Sequence, residues 1–184
     1  TLLYGTRKHE LMKMQWSWVD WAEGVITIPA SATKQKKIHY LPLTGWTRAI
    51  LERRQAKRSE SPYVFPGEKE NQPLTNIRRS LGRAVGEQFK LHDARRTLIT
   101  HCNGLGIHGP RLKAIVGHAR SGVTESYDQR EVEQVRRDLT TYHEWLKDKH
   151  YWHGMEQAFP DAKREADEAT LGEERKPERW PGVE

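Results

Sequence analysis

The stretch LHDARRTLITHCNGLG, residues 91–106, predicts an amphipathic helix with a defined end. Its apolar positions recur at helical spacing and give the helix a buried side, formed by Leu91, Leu98 and Cys102. The dipeptide Asn103-Gly104 suits the left-handed conformation that commonly ends a helix. We therefore expect this helix to lie in the core and to stop at this dipeptide.

The same helix carries polar residues that point to chemistry. His92 and Arg95 are three positions apart, so both project from one face of the helix. Asp93, near the amino terminus, complements the helix dipole. Two interpretations remain open for the pair. Either it is functional, or His92 is a semi-buried structural histidine and Arg95 a surface cation.

Around this helix the sequence predicts further helices and one small sheet. Gly5 would allow another backbone to approach closely, and Pro42 suggests that the last strand leaves the sheet there. The segments are a helix in 1–16, strands in 18–30, a hairpin with a basic turn in 32–44, a helix in 45–58, a loop in 60–75, a basic helix in 76–89, a short helix after Pro110 and a long helix in 131–149. The order predicts a mainly α fold with a small antiparallel β-sheet, an α+β protein.

The charge of the chain favours a polyanionic partner. Lys and Arg number 31 against 25 acids, which gives a net charge of +6. Such a balance suits nucleic acid, although a basic protein without such a partner fits equally well. Residues 161–184 hold eight acids and five bases, so a basic body ends in an acidic tail. The tail either shields part of the basic face, docks on a neighbour, or is solvated.

The cysteine count and the apolar runs exclude several classes of protein. A single cysteine, Cys102, rules out an internal disulfide and fits a reducing, cytoplasmic compartment. His101 and His108 are poorly spaced around it for a zinc site. No apolar run approaches the roughly 20 residues of a membrane span. Because the chain opens at Thr1 in an apolar-then-basic segment, we expect an excised domain.

Four more residues are candidates for chemistry, and each has an ordinary structural alternative. Arg7 lies three residues before Glu10, so the two side chains would pair on one helix face. Lys34 lies in the basic turn TKQKK, which would otherwise be a solvated turn. The remaining two are a histidine after a glycine, His118, and an aromatic residue nine positions later, Tyr127.

Taken in order, these motifs resemble the tyrosine recombinases, or phage-type integrases. The set comprises the arginine of GTRKHEL, the lysine of TKQKK before LPL, HDARRT, VGH, and a tyrosine nine residues after that histidine. The resemblance covers residues 1–147 and implies a catalytic domain, followed by an acidic tail over 148–184 with a possible protomer contact. It also implies that a second DNA-binding domain precedes the chain.

The resemblance assigns a role to each position. Arg7 matches the first arginine, Lys34 the hairpin lysine, His92 and Arg95 the HxxR pair, His118 the late histidine and Tyr127 the nucleophile. Ala94 stands where a larger apolar residue is common. Lys36 and Lys37 lie in the same hairpin and compete with Lys34 for the role of the hairpin lysine. We prefer Lys34 because Thr33-Lys34 directly ends the first strand.

Physical chemistry supports this set independently. Breaking a DNA phosphodiester requires charge stabilisation around the phosphate oxygens, a nucleophile and a proton for the departing oxygen. Arg7 and Arg95 offer permanently charged forks, with His118 as a further donor. A tyrosine hydroxyl has a pKa near 10 and needs a proton acceptor, for which His92 is the candidate. Lys34 would supply the proton to the leaving 5′ oxygen.

We therefore expect a site-specific DNA recombinase or integrase that acts through a covalent 3′-phosphotyrosine, without cofactor or metal, to integrate or excise a mobile element. Its partner would be double-stranded DNA at attachment sites, where it would form a tetramer. Alternatives are a type IB topoisomerase-like strand passer and an inactive DNA-binding module. The apolar stripe Val132, Val135, Leu139, Tyr142 and Leu146 exceeds what a core needs, so residues beyond 131 either contact a neighbouring subunit or pack in cis.

Overall fold

The computed structural model describes residues 3–69, 71–77, 90–117 and 128–148. Within these ranges there are five α-helices and one antiparallel sheet of three short strands. The helices are α1 (Lys8–Met12), α2 (Gly45–Ala56), α3 (Leu91–Gly104), α4 (Gly109–Ile115) and α5 (Gln129–Asp148). The strands are β1 (Val19–Asp20), β2 (Val25–Ile28) and β3 (His39–Pro42). This content confirms the expected α+β class.

The sheet is formed early in the chain, with β2 between β1 and β3. Ile26 of β2 is nearly fully buried and lies opposite Val19 on one side and Leu41 on the other. Pro42 is the last residue of the edge strand β3, as expected from its missing amide hydrogen. The apolar alternation of the strands therefore places one face of the sheet on the core.

The helix expected over residues 1–16 is much shorter in the structure. Among residues 3–16, which the structure describes, the α-helix spans only Lys8–Met12. Gly5 has a φ of +62°, and Arg7 is extended, with φ −71° and ψ 147°. A left-handed glycine followed by an extended residue cannot continue an α-helix, so apolar periodicity overestimated the length of this element.

Helix α3 lies where the sequence places it and buries one stripe: Ala94, Arg95, Leu98 and Cys102. It ends at Gly104, but the left-handed residue is Gly106, with a φ of +75°. The amide of Ile107 turns back to donate to the carbonyl oxygen of Cys102 at 2.8 Å. The helix thus ends at the expected dipeptide, and the left-handed residue follows two positions later.

Helix α5 closes the core in cis. Its stripe Val132, Val135, Leu139, Tyr142 and Leu146 is buried, and the helix contacts β3 and α4 of its own chain. The expectation that this stripe exceeds the needs of one core is wrong, because the same chain covers it. Most of the basic helix expected in 76–89 (residues 78–89) and the tail beyond residue 148 lie outside the described ranges.

Charged residues fix α5 to the rest of the molecule. The Arg136 guanidinium donates from Nη1 to the carbonyl oxygens of Gly24 at 3.0 Å and Leu43 at 2.5 Å. The Asp138 carboxylate, nearly fully buried, accepts from Arg111 of α4. None of the helices in the ranges described above combines the length and the apolar character needed to cross a membrane.

Candidate active site

Arg95 is the most constrained of the candidate residues. It is only 5% exposed, although it carries a full charge. Its Nη1 donates to the carbonyl oxygen of Gly5, and its Nη2 donates to that of Val116 at 3.0 Å. Helix α3 therefore presents this guanidinium inward, between the segment before α1 and the end of α4. The interpretation of Arg95 as a surface cation is wrong.

Arg7 is held from both ends by a buried carboxylate. Its Nη1 lies 3.2 Å from Oε1 of Glu10, and its amide nitrogen donates to Oε2 at 3.0 Å. The side chain of Glu10 is 3% exposed, against 25% for that of Arg7. The expected pair is therefore present, and it orients Arg7 at the start of α1 while part of the arginine side chain stays open to solvent.

Arg7 and Glu10 both act electrostatically on Arg95. Burial lowers the pKa of Arg95, the charge of Arg7 lowers that pKa further, and Glu10 raises it. An arginine remains protonated despite such shifts. Two guanidinium groups beside one carboxylate leave a net positive charge, which favours binding of an anion.

Gly5 makes the approach of α3 and α4 to this cluster possible. A Cβ atom at Gly5 would lie 3.2 Å from Cδ2 of Leu98 and 3.2 Å from Cγ1 of Val116, and the backbone is left-handed. The neighbours that approach Gly5 are side chains, whereas the sequence predicted the approach of another backbone. The carbonyl oxygen of Gly5 accepts a hydrogen bond from Arg95.

Lys34 lies on an exposed turn. The turn is closed by Thr33, whose hydroxyl donates to the carbonyl oxygen of Lys37 at 2.8 Å. Strand β2 ends at Ile28, five residues before Thr33, so the argument that Thr33-Lys34 directly ends the first strand is wrong. Lys36, also exposed, has a φ of +55°. The choice of Lys34 over Lys36 stays a prediction.

Of the three remaining candidate residues, the structure describes only one. His92 is exposed in the first turn of α3, three residues before Arg95. His118 and Tyr127 lie outside the described residues. The structure therefore brings together Arg7, Glu10 and Arg95, places His92 on the same helix as Arg95, and leaves the other roles as predictions.

Sequence reasoning missed His39, the first residue of β3. It is 8% exposed, and its Nε2 lies 3.1 Å from the carbonyl oxygen of Ala114 in α4. A Cβ atom on Gly117 would fall 2.6 Å from its Nδ1. The sequence signal that could have found it was the period-two pattern of a strand, because His39 shares a buried strand face with Leu41.

Cys102 does not offer an alternative nucleophile. Its side chain is fully buried, and burial raises the pKa of the thiol to about 12. A thiol in such surroundings stays protonated and inert at neutral pH.

The segment that holds these motifs matches a known protein family. The pattern of the Phage integrase family matches residues 1–134. The chain belongs to this family. All six candidate residues of this chain lie inside the matched range, and the match confirms the resemblance drawn from the motifs.

Two curated relatives are prophage integrases of Escherichia coli strain K12. IntZ is 27% identical to this chain over 142 residues, and IntA is 27% identical over 143 residues. Each match covers 75% of the present chain but 35% of the relative. The chain thus spans about a third of the length of these relatives.

Proposed function

We propose that this chain is the catalytic domain of a site-specific tyrosine recombinase, with the catalytic fold of that family, that integrates or excises a mobile element. The observation that carries the proposal is the buried Arg95 guanidinium, held by two backbone carbonyls beside Arg7 and Glu10. Burying a charge is costly unless the charge is paired. A chain that buries one next to a second arginine, with a net positive charge, is suited to bind a phosphate group.

Arg7 and Arg95 are assigned to the non-bridging oxygens of the scissile phosphate. Each guanidinium presents a planar fork of N–H donors that fits two phosphate oxygens. Negative charge builds up on these oxygens as the nucleophile attacks, so donors fixed in advance lower the barrier. Glu10 and the carbonyl oxygens of Gly5 and Val116 supply that fixation.

The remaining roles come from the family resemblance. The Tyr127 oxygen attacks phosphorus, its proton passes to His92, and the bond to the 5′ oxygen breaks as Lys34 donates a proton to that oxygen. His118 donates to a non-bridging oxygen. The product is a 3′-phosphotyrosine, whose bond energy allows a second DNA end to displace Tyr127 without ATP.

The proposed partner is double-stranded DNA at attachment sites, on which four protomers assemble. The basic charge of the body suits this partner. The family match favours a recombinase over a type IB topoisomerase. Since the proposed charge stabilisation comes from side chains, cleavage should persist in EDTA, and a strict need for Mg²⁺ would indicate a two-metal nuclease instead.

The test is adduct formation by wild type and Tyr127→Phe. Each protein is incubated with nicked duplexes from a candidate attachment site, and covalent protein–DNA complexes are resolved in SDS. The wild type should form an adduct, and the variant should bind DNA equally but form none, because only the hydroxyl is lost. An adduct with the phenylalanine variant removes Tyr127 as the nucleophile. Binding without any wild-type adduct would indicate an inactive DNA-binding module.

A further inference from the structure

His39 joins the sheet to the last turn of α4. Its ring nitrogen Nε2 lies 3.1 Å from the carbonyl oxygen of Ala114, which also accepts from the amide of Gly117 at 3.3 Å. A carbonyl oxygen only accepts hydrogen bonds, so the ring carries its proton on Nε2. Burial lowers the pKa of His39, which keeps the ring neutral at pH 7 with Nε2 as its donor.

The turn that His39 holds is the turn that holds Arg95. The carbonyl oxygen of Val116, between Ala114 and Gly117 in sequence, accepts from Nη2 of Arg95 at 3.0 Å. The turn has little freedom to shift toward the ring. A Cβ atom on Gly117, whose φ is +64°, would lie 2.6 Å from Nδ1 of His39.

The ring also lies within the field of the arginine cluster. Glu10 raises the pKa of His39 and Arg95 lowers it, both by less than burial does. His39 therefore borders the charged cluster without pairing with a charge itself. Its described hydrogen bonds go to the backbone of Ala114 and Ile115, which makes it a support for the cluster.

We propose that His39 is a positioning residue for DNA cleavage: its hydrogen bond to Ala114 fixes the end of α4, so that Val116 orients the Arg95 guanidinium for the phosphate. This inference rests on the proposed function and deepens it. His39 acts only through Arg95 and touches no reacting atom.

The first measurement does not depend on DNA cleavage. Amide hydrogen exchange over residues 112–117 is followed in wild type, His39→Met and His39→Gln. Methionine keeps volume but lacks the N–H donor, whereas glutamine places an amide N–H close to the position of Nε2. Exchange should speed up in His39→Met and stay near wild type in His39→Gln. His143→Met serves as the matched control, because His143 is another buried histidine with hydrogen bonds to other residues.

The second measurement is the rate of covalent adduct formation on nicked duplex. His39→Met should slow it roughly tenfold, the rate equivalent of one lost hydrogen bond, with DNA binding unchanged. His39→Gln should restore most of the rate. In an Arg95→Ala background, His39→Met should cost almost nothing further, because the group that it positions is gone.

The outcomes separate this inference from the proposed function. If wild type forms no adduct, the proposed function fails, and the positioning role fails with it whatever the exchange shows. If wild type cleaves but the exchange over 112–117 is the same in His39→Met, His39 does not hold the turn. An equal cost of His39→Met with and without Arg95 would overturn its action through that arginine, and a matching loss in His143→Met would mean general destabilisation.

Discussion

Arg95 and Arg7 donate to different kinds of acceptor. Their removal should therefore affect the stability of the fold in different ways. Arg95 donates to two backbone carbonyls, those of Gly5 and Val116. Arg7 pairs with the carboxylate of Glu10. Removal of Arg95 leaves two buried carbonyls without that donor, whereas removal of Arg7 leaves a buried charge without its partner.

We expect Arg95→Ala and Arg7→Ala each to slow cleavage by roughly 10²–10³, the usual effect of losing one preorganised donor, with smaller effects on DNA binding. Arg95→Ala should also lower the free energy of unfolding by about 1–3 kcal/mol, because buried acceptors lose their partner. Single-turnover cleavage and urea unfolding give the two quantities. Arg96→Ala, which removes an exposed charge from the next position of α3, is the control. Cleavage within a few-fold of wild type for either variant would remove that arginine from the site.

The identity of the general acid can be tested with a changed leaving group. A thiol has a pKa near 8.5, far below that of an alcohol, so a 5′-bridging sulfur leaves without a proton. Lys34→Ala should therefore be slow on normal DNA and recover on the sulfur-containing duplex. Lys36→Ala is the matched comparison on the same exposed turn. If rescue occurs for Lys36→Ala and not for Lys34→Ala, the role moves by two residues.

At the scale of elements, the sequence predicted the helices and strands whose apolar pattern is continuous. Helix α5 and strands β2 and β3 lie where periodicity placed them. The first helix was overestimated because its apolar residues serve two structures, an irregular segment up to Arg7 and a short helix after it. The end of α3 at Gly104 was predicted from the sequence, but the left-handed residue is Gly106 and not one of the dipeptide Asn103-Gly104.

The sequence predicts a set of candidate site residues but not their arrangement. The motif order identified Arg7 and Arg95, and the resemblance gave their roles. The carbonyl acceptors of Arg95 could not be found in this way, because backbone oxygens leave no mark in the sequence. His39 was missed because its partner, Ala114, is 75 positions away and binds through its backbone.

A second buried histidine joins α5 to the start of the chain. Nε2 of His143 lies 2.8 Å from the carbonyl oxygen of Leu3, and Nδ1 lies 3.0 Å from the hydroxyl of Thr44, the residue that caps α2. Because a carbonyl cannot donate, Nε2 carries the proton and Nδ1 accepts from Thr44. Three elements therefore depend on one neutral imidazole.

This neutral ring makes stability depend on pH. Burial lowers the pKa of His143 to about 4, against about 6.5 in an unfolded chain. Between these values the unfolded state binds a proton that the folded state does not, so stability falls as the pH falls from about 6.5 towards 4. The loss should be on the order of 3 kcal/mol. Burial lowers the pKa of His39 too, which adds to the same trend.

Urea unfolding at pH 7 and pH 4.5 measures this dependence. His143→Gln removes the titrating group, so its stability should change less between the two pH values than that of wild type. His92→Gln, which removes an exposed histidine, is the control and should keep the wild-type slope. Equal slopes for wild type and His143→Gln would show that the ring is not held neutral in the folded protein.

At the scale of the whole molecule, charge is divided between a basic body and an acidic tail. Residues 149–184 hold nine acids and six bases, so the rest of the chain carries +9. The apolar stripe of α5 is used within its own chain. A contact between protomers on DNA would therefore have to come from another surface, and the acidic tail is complementary to the basic body of a neighbour.

Truncation after Asp148, the last residue of α5, tests this assembly role. The free energy of unfolding should change little, because the buried stripe of α5 ends at Leu146. Multimers on DNA should be fewer, as seen by sedimentation, and the deficit should shrink as salt screens the tail in the full chain. A full-length variant with the tail acids changed to Gln and Asn separates charge from length, and it should assemble as poorly as the truncation. If the truncated protein assembles and recombines like the full chain, the tail has no part in assembly and is solvated, and any contact between protomers must involve the folded body.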